Sequence, residues 1–85
     1  MQCEPKYVIY YLDGCFYSKK ALNLLSHYNY PYTIIPVSQE DKEKYKAYLG
    51  KQTFPQIYYH DCYNRRYEIG GCSDLEQLIK NRQGL

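Results

Sequence analysis

The 85-residue sequence predicts an α/β fold, a four-stranded mixed sheet flanked by helices in the order β-α-β-α-β-β-α. Three observations predict it. In the first half, short β-branched and aromatic runs alternate with stretches of helical periodicity, the pattern of strands joined by crossover helices. In the second half, two such runs are separated only by a polar turn, the pattern of a hairpin. The first run is apolar without alternation, as a strand covered on both faces must be. A chain of this length supports one domain over residues 1–85, because a core this small cannot be divided.

Each element follows in turn. Tyr7-Val8-Ile9-Tyr10-Tyr11-Leu12 is the central strand, broken by Asp13-Gly14. From Cys15 to Tyr28 the apolar positions Ala21, Leu22, Leu25 and Tyr28 recur at helical spacing, and Asn29-Tyr30-Pro31 ends that helix. Tyr32 to Val37 is the second strand. Ser38 opens a charged helix from about Gln39 to Leu49, with Glu40 and Lys44 four apart on its exposed side, and Gly50 stops it. After Thr53-Phe54-Pro55 comes a strand at Gln56 to Tyr59, a turn at Asp61 to Arg65 and a strand at Tyr67 to Ile69. Gly70-Gly71 leads to Ser73-Asp74-Leu75-Glu76, which has the form of a capping box with Ser73 as cap and Glu76 reaching back; Leu75, Leu78 and Ile79 face inward. A crossover makes the first two strands parallel, and the hairpin adds two antiparallel strands on the other side of the first.

Composition narrows the function. Hydrophobic residues make up 45% of the chain, but 13 are Tyr, so tyrosine rings must supply much of the core. Eleven basic and nine acidic residues are well mixed, for a net charge of +2, and no basic stripe accompanies the aromatics; nucleic acid is excluded as the expected partner. No run approaches the length of a membrane span, and the first residues lack the form of a signal peptide. The expectation is a monomeric, cytoplasmic protein whose cysteines are mostly reduced. Cys3, Cys15, Cys62 and Cys72 have no paired close spacing, and no His stands at ligand spacing, so no protein metal site is expected. His27 and His60 are expected at the surface, Cys3 and Cys62 as incidental thiols.

Cys15 carries the chemistry. It follows a central strand and opens a helix, where unpaired backbone N–H groups and the positive end of the helix dipole favour a thiolate. Lys19 and Lys20, one turn on, add positive charge. A thiolate there attacks a disulfide sulfur and departs readily, as exchange catalysis requires; the same position also suits a buried cysteine that packs as a small hydrophobe.

The segment Gly14-Cys15-Phe16-Tyr17-Ser18 followed by Lys19-Lys20-Ala21 resembles the active site of glutaredoxins, small enzymes of thioredoxin-like fold. Two more motifs stand in the family's order. Thr53-Phe54-Pro55 resembles its Thr-Val-Pro, and Gly70-Gly71-Cys72-Ser73-Asp74-Leu75 resembles its glutathione-binding loop. The resemblance implies that Cys15 is catalytic, that the peptide before Pro55 is cis, and that glutathione is the co-substrate. It further implies that glutathione is held by Tyr17, Lys51, Gln52, Thr53, Phe54, Pro55, Gly71, Cys72, Ser73 and Asp74. In that arrangement the helix opened by Ser73 receives the γ-glutamyl carboxylate, Asp74 pairs with the ammonium, and Phe54 offers its N–H and C=O to the extended peptide. Lys51 or Gln52 faces the glycine carboxylate, and Tyr17 lines the cleft.

The departures shape the mechanism. Dithiol members have Cys-Pro-Tyr-Cys, whereas here Phe16 replaces the proline and Ser18 the resolving cysteine, so the implied route is monothiol. The basic residue the family often carries three before the cysteine is Leu12, a loss that Lys51, Lys19 or Lys20 must offset. The implied function is glutathione-dependent reduction of protein–glutathione mixed disulfides, with glutathionylated proteins as partners. A [2Fe-2S] carrier held through Cys15 in a glutathione-bridged dimer, and a redox-inert adaptor using the same groove, are the alternatives. Cys72 is expected to lend backbone and shape to the site, with a resolving role as its alternative.

Overall fold

In the computed structural model, which describes residues 4–83, seven elements follow the expected order. They are β1 (Lys6–Leu12), α1 (Phe16–His27), β2 (Tyr32–Val37), α2 (Lys42–Leu49), β3 (Gln56–His60), β4 (Arg66–Gly70) and α3 (Cys72–Gln83). The strands form one sheet in the order β2-β1-β3-β4. β1 runs parallel to β2, pairing Tyr7 with Tyr32 through to Leu12 with Val37, and antiparallel to β3. β4 completes the sheet antiparallel to β3, with an irregularity at Ile57/Tyr58. Pro36, which cannot donate to a ladder, sits on the edge strand β2, where its missing N–H costs least.

The non-alternating run of β1 has its explanation in the two cores it feeds. Tyr7 and Ile9 point to one face and pack with Ala21 and Leu25 of α1, Ile57 of β3, and Leu75 and Ile79 of α3. Val8, Tyr10 and Leu12 point to the other and pack with Val37, Phe54 and Tyr58, under Tyr45 and Leu49 of α2. Tyrosine does enter the core: Tyr7, Tyr10 and Tyr58 are all buried, with the Tyr7 ring 5.1 Å from that of Tyr59 and the Tyr10 ring 5.9 Å from that of Tyr58. Burying an Ile or Leu of this kind contributes about 1.5–3 kcal/mol.

Two helix starts differ from expectation. α2 begins at Lys42, not near Gln39, because Ser38 holds a turn instead: its Oγ accepts the Asp41 N–H at 3.2 Å. Glu40 therefore lies outside the helix, and the ion pair on its surface is Glu43 with Lys46, at 3.3 Å, not Glu40 with Lys44. α3 begins at Cys72, before Ser73. The residue reaching back is Asp74, whose Oδ2 accepts the Gly71 N–H at 2.9 Å, while Leu75 N–H bonds to Gly71 O at 3.1 Å. The capping geometry is thus present two residues earlier than expected, with Gly71 in place of Ser73 and Asp74 in place of Glu76. Gly70, at φ +115°, makes this entry possible, since a Cβ there would lie 2.5 Å from Asp74 Oδ2.

Candidate functional site

The turn from β1 to α1 aims Cys15. Gly14 takes φ +77°, Cys15 N–H bonds back to Leu12 O at 3.1 Å, and Cys15 is the N-cap residue of α1 in extended conformation. The half-buried thiol lies 3.8 Å from Phe54 O, across a chain separation of 39 residues, and the Phe54–Pro55 peptide is cis. Two sequence motifs are thereby in direct contact.

The Cys15 pKa lies below the ordinary cysteine range, and the balance behind it is specific. Burial opposes ionisation most strongly; it is outweighed by hydrogen bonds from the Ser18 hydroxyl and from the Ser18 and Tyr17 N–H groups, with help from the charge of Lys42. Ser18 is fully buried, and its Oγ accepts the Leu12 N–H at 3.1 Å, which leaves its own proton to donate to the sulfur. Where a resolving cysteine stands in dithiol members, this chain has a fixed hydrogen-bond donor.

The expected charge from Lys19 and Lys20 is a different matter. Lys20 is bound to Glu76 at 3.2 Å, which holds its pKa above the ordinary lysine range. The cation that acts on the thiol is Lys42, the first residue of α2, and no motif announces it. What brings α2 to the β1–α1 turn is Gln39, whose side chain donates to Asp13 O, and the packing of Tyr45 and Leu49 on the same buried cluster that Cys15 borders.

A groove of about 520 Å³ runs beside this thiol. Tyr17, Lys51, Thr53, Phe54 and Pro55 line one part of it, and Gly71, Cys72, Ser73 and Asp74 another. Gln52 is exposed and does not line it, so between the two candidates for that position the geometry favours Lys51. Gln56, Glu68 and Glu76 also line the groove, although none of the three motifs that resemble the glutaredoxin site contains them. Two of these had a signal: Glu68 lies two before Gly70 on β4 and so shares its face, and Glu76 lies one helical turn after Cys72. Glu68 forms an ion pair with Lys51, raising the lysine pKa.

Cys72 is buried, and its thiol is held up by that burial and then by Glu76, whose Oε1 lies 3.8 Å from Sγ; Lys20 opposes only part of this. It is a poor thiolate, in contrast to Cys15. Both are free, whereas Cys62 is disulfide-bonded and not an incidental thiol. Cys3 lies outside the described residues. Among the described residues no group of three or more His, Cys, Asp or Glu side chains could hold a metal ion. A [2Fe-2S] cluster takes four ligands, and this site offers one accessible thiol, Cys15, so the described residues of one chain do not hold a cluster by themselves. No helix among the described residues is long and apolar enough to cross a membrane.

Comparison with known proteins agrees with this geometry. The glutaredoxin family model matches residues 7–62, which includes Cys15 and Thr53-Phe54-Pro55 and stops before the Gly70-Gly71 loop. Glutaredoxin 1 of Rickettsia prowazekii is 43% identical over 77 residues, covering 86% of this chain and 76% of that protein. Glutaredoxin 1 of Francisella tularensis, solved with cacodylate, superposes with a TM-score of 0.77 at 20% identity, over 96% of this chain and all of that one. The buckwheat glutaredoxin–glutathione complex superposes with a TM-score of 0.63 at 21% identity, over 94% of this chain and 71% of that one. With an acidic thiol at the start of α1 in a thioredoxin-like sheet, and matches of this extent, the chain belongs to the glutaredoxin family of thiol-disulfide oxidoreductases.

Proposed function

We propose that this protein reduces glutathione mixed disulfides by a monothiol route through Cys15. The observation that carries the proposal is the pairing of an acidic, accessible thiol with an adjoining groove that presents charges of both signs. Glutathione has two carboxylates, an ammonium and a peptide backbone. The first turn of α3 offers N–H groups to the γ-glutamyl carboxylate, Asp74 an acceptor for the ammonium, Phe54 backbone groups for the peptide, and Lys51 a cation for the glycine carboxylate. A groove of this kind in a chain whose structural likenesses include a glutaredoxin crystallised with glutathione supports that ligand.

In the first step the Cys15 thiolate attacks the glutathione sulfur of the mixed disulfide. A new S–S bond joins Cys15 to glutathione, the old one breaks, and the protein thiolate leaves and takes a proton from solvent. In the second, the thiolate of another glutathione attacks the bound glutathione sulfur, releasing oxidised glutathione and restoring the Cys15 thiolate. The reducing equivalents come from the one incoming glutathione, since the glutathione of the mixed disulfide stays at the disulfide level throughout, and one protein cysteine suffices. Ser18 cannot close a disulfide onto Cys15; it stabilises the thiolate both as attacker and as leaving group.

The test is turnover on the mixed disulfide of cysteine and glutathione with glutathione as reductant. Cys15→Ser is expected to abolish it, and mass spectrometry of the unsubstituted chain treated with oxidised glutathione is expected to show one glutathione adduct. An inactive parent protein, or a mass loss of two hydrogens from closure of Cys15 onto Cys72, would overturn the monothiol reading.

A further inference from the structure

Beyond the groove already described, a second one of about 640 Å³ runs along the exposed side of α1, lined by Phe16, Lys19, Lys20, Asn23, Leu24 and His27. The two grooves meet at adjacent residues. Tyr17 lines the first and Phe16 the second, and their rings stand edge to face, 5.4 Å apart, immediately after Cys15. Phe16 is 71% exposed, a large apolar surface left in water next to a reactive sulfur. The helix does not need it for packing, because Ser18, Ala21 and Leu25 form its buried face. The two grooves also differ in charge: Glu68, Asp74 and Glu76 line the first together with Lys51, while the residues lining the second include Lys19, His27 and Lys20, the last paired with Glu76, and no carboxylate.

A mixed disulfide has two halves, and the first groove accounts for one. We infer that the Phe16–His27 face of α1 docks the polypeptide half: a segment carrying acidic residues beside its modified cysteine, with an apolar residue placed against Phe16 and Leu24. Length favours a polypeptide over a small molecule. Phe16 and His27 are 11 residues apart on one helix, about 16 Å, the reach of about five extended residues. Charge favours acidic flanks, because Lys19 borders the apolar strip and no carboxylate lines it. The inference rests on the glutathione reading above and adds the class of protein that is deglutathionylated. Cleavage follows the same balanced exchange: the docked cysteine leaves as thiolate while glutathione stays on Cys15.

The experiment uses three glutathionylated peptides that share a central cysteine and one leucine and are flanked by Glu, Gln or Lys. At low ionic strength kcat/KM is expected to be about ten-fold higher for the Glu peptide than for the Lys peptide, and the ratio to shrink with added salt. The exposed double variant Asn23→Glu/His27→Glu should lose most of that ratio while turning over the cysteine–glutathione disulfide as the parent does; Asn23→Lys/His27→Lys should widen it. Equal rates on the three peptides, or a preference unchanged in the Glu variant, would overturn the inference. Amide shift changes on adding the unmodified Glu peptide separate the two proposals. Shifts confined to α1 without turnover of the small disulfide sink the glutathione reading alone, and turnover without peptide discrimination or shifts sinks this one alone.

Discussion

At the scale of single residues, the chemistry turns on a contrast between two cysteines that the sequence presents alike. Both open a helix, yet Cys15 is acidic and Cys72 is not, because Cys15 receives donors from Ser18 and Tyr17 and the charge of Lys42, whereas Cys72 is buried against a carboxylate. Alkylation by iodoacetamide followed across pH should therefore report a Cys15 midpoint below the free-thiol value of about 8.5, and Lys42→Ala should move that midpoint up. Labelling that favours Cys72, or a Lys42→Ala profile identical to the parent, would count against this assignment. The sign carries over to stability. A pKa lowered by folding adds stability that is complete above the unfolded value and is lost as pH falls through the folded one, so the cost of Cys15→Ser should grow from acid to alkaline pH. Ser18 gives a second test. Ser18→Ala removes the partner of the buried Leu12 N–H, at about 1–3 kcal/mol, and a donor to the sulfur; both a lower denaturation midpoint and a higher Cys15 midpoint are expected. Ser18→Cys restores the dithiol pattern, and oxidised glutathione should then give loss of two hydrogens in place of the adduct.

At the scale of elements, the entry to α3 shapes the candidate glutathione groove. Gly70 at φ +115° and the Asp74 carboxylate on Gly71 N–H set where the first turn presents its free N–H groups. A Cβ at position 70 would sit 2.5 Å from Asp74 Oδ2 and 3.1 Å from Asp74 Cβ, and the backbone there disfavours any L side chain. Gly70→Ala should cost about 1–3 kcal/mol in chemical denaturation and raise KM for glutathione several-fold. Asp74→Ala should raise KM in the same direction with a smaller stability loss, on the order of 0.3–1 kcal/mol for an acid at a helix start. If KM is unchanged in both variants, glutathione does not use this helix.

Over the whole molecule, a thin sheet with a core on each side carries the site at one end of β1, where its chain crosses from strand to α1. α1 and α3 cover one face and α2 the other, and all three contribute to the surroundings of Cys15: α1 its own N–H groups, α3 the groove wall, α2 Lys42. The site thus depends on packing beneath it. Leu25, fully buried between α1 and the sheet, makes a direct probe. Leu25→Ala should destabilise by about 2–5 kcal/mol, and at roughly 4–8 °C per kcal/mol for a domain of this size the fall in Tm should exceed about 8 °C. A smaller fall would mean that α1 is held chiefly by contacts other than this core.

Local pattern was enough for the elements, their order and the central place of β1, because a continuous β-branched and aromatic run with helices on either side can bury itself in few ways. For Cys15, Thr53-Phe54-Pro55 and Gly70 to Asp74 it was not enough, since each is a turn or cap common in itself, and only their resemblance, in order, to one family's motifs singled them out. The register of helix starts was not legible, because Ser38 and Ser73 are equally good caps in isolation and the choice fell to side chains that reach other segments: Gln39 to Asp13, and Asp74 to Gly71 against Gly70. Nor was the charge on the thiol. Lys19 and Lys20 are near Cys15 in sequence and Lys42 is not, but Glu76 captures Lys20, and the crossover that pairs β1 with β2 brings the start of α2 to the sulfur. Electrostatic effects depend on distance through space, and only the folded chain sets those distances.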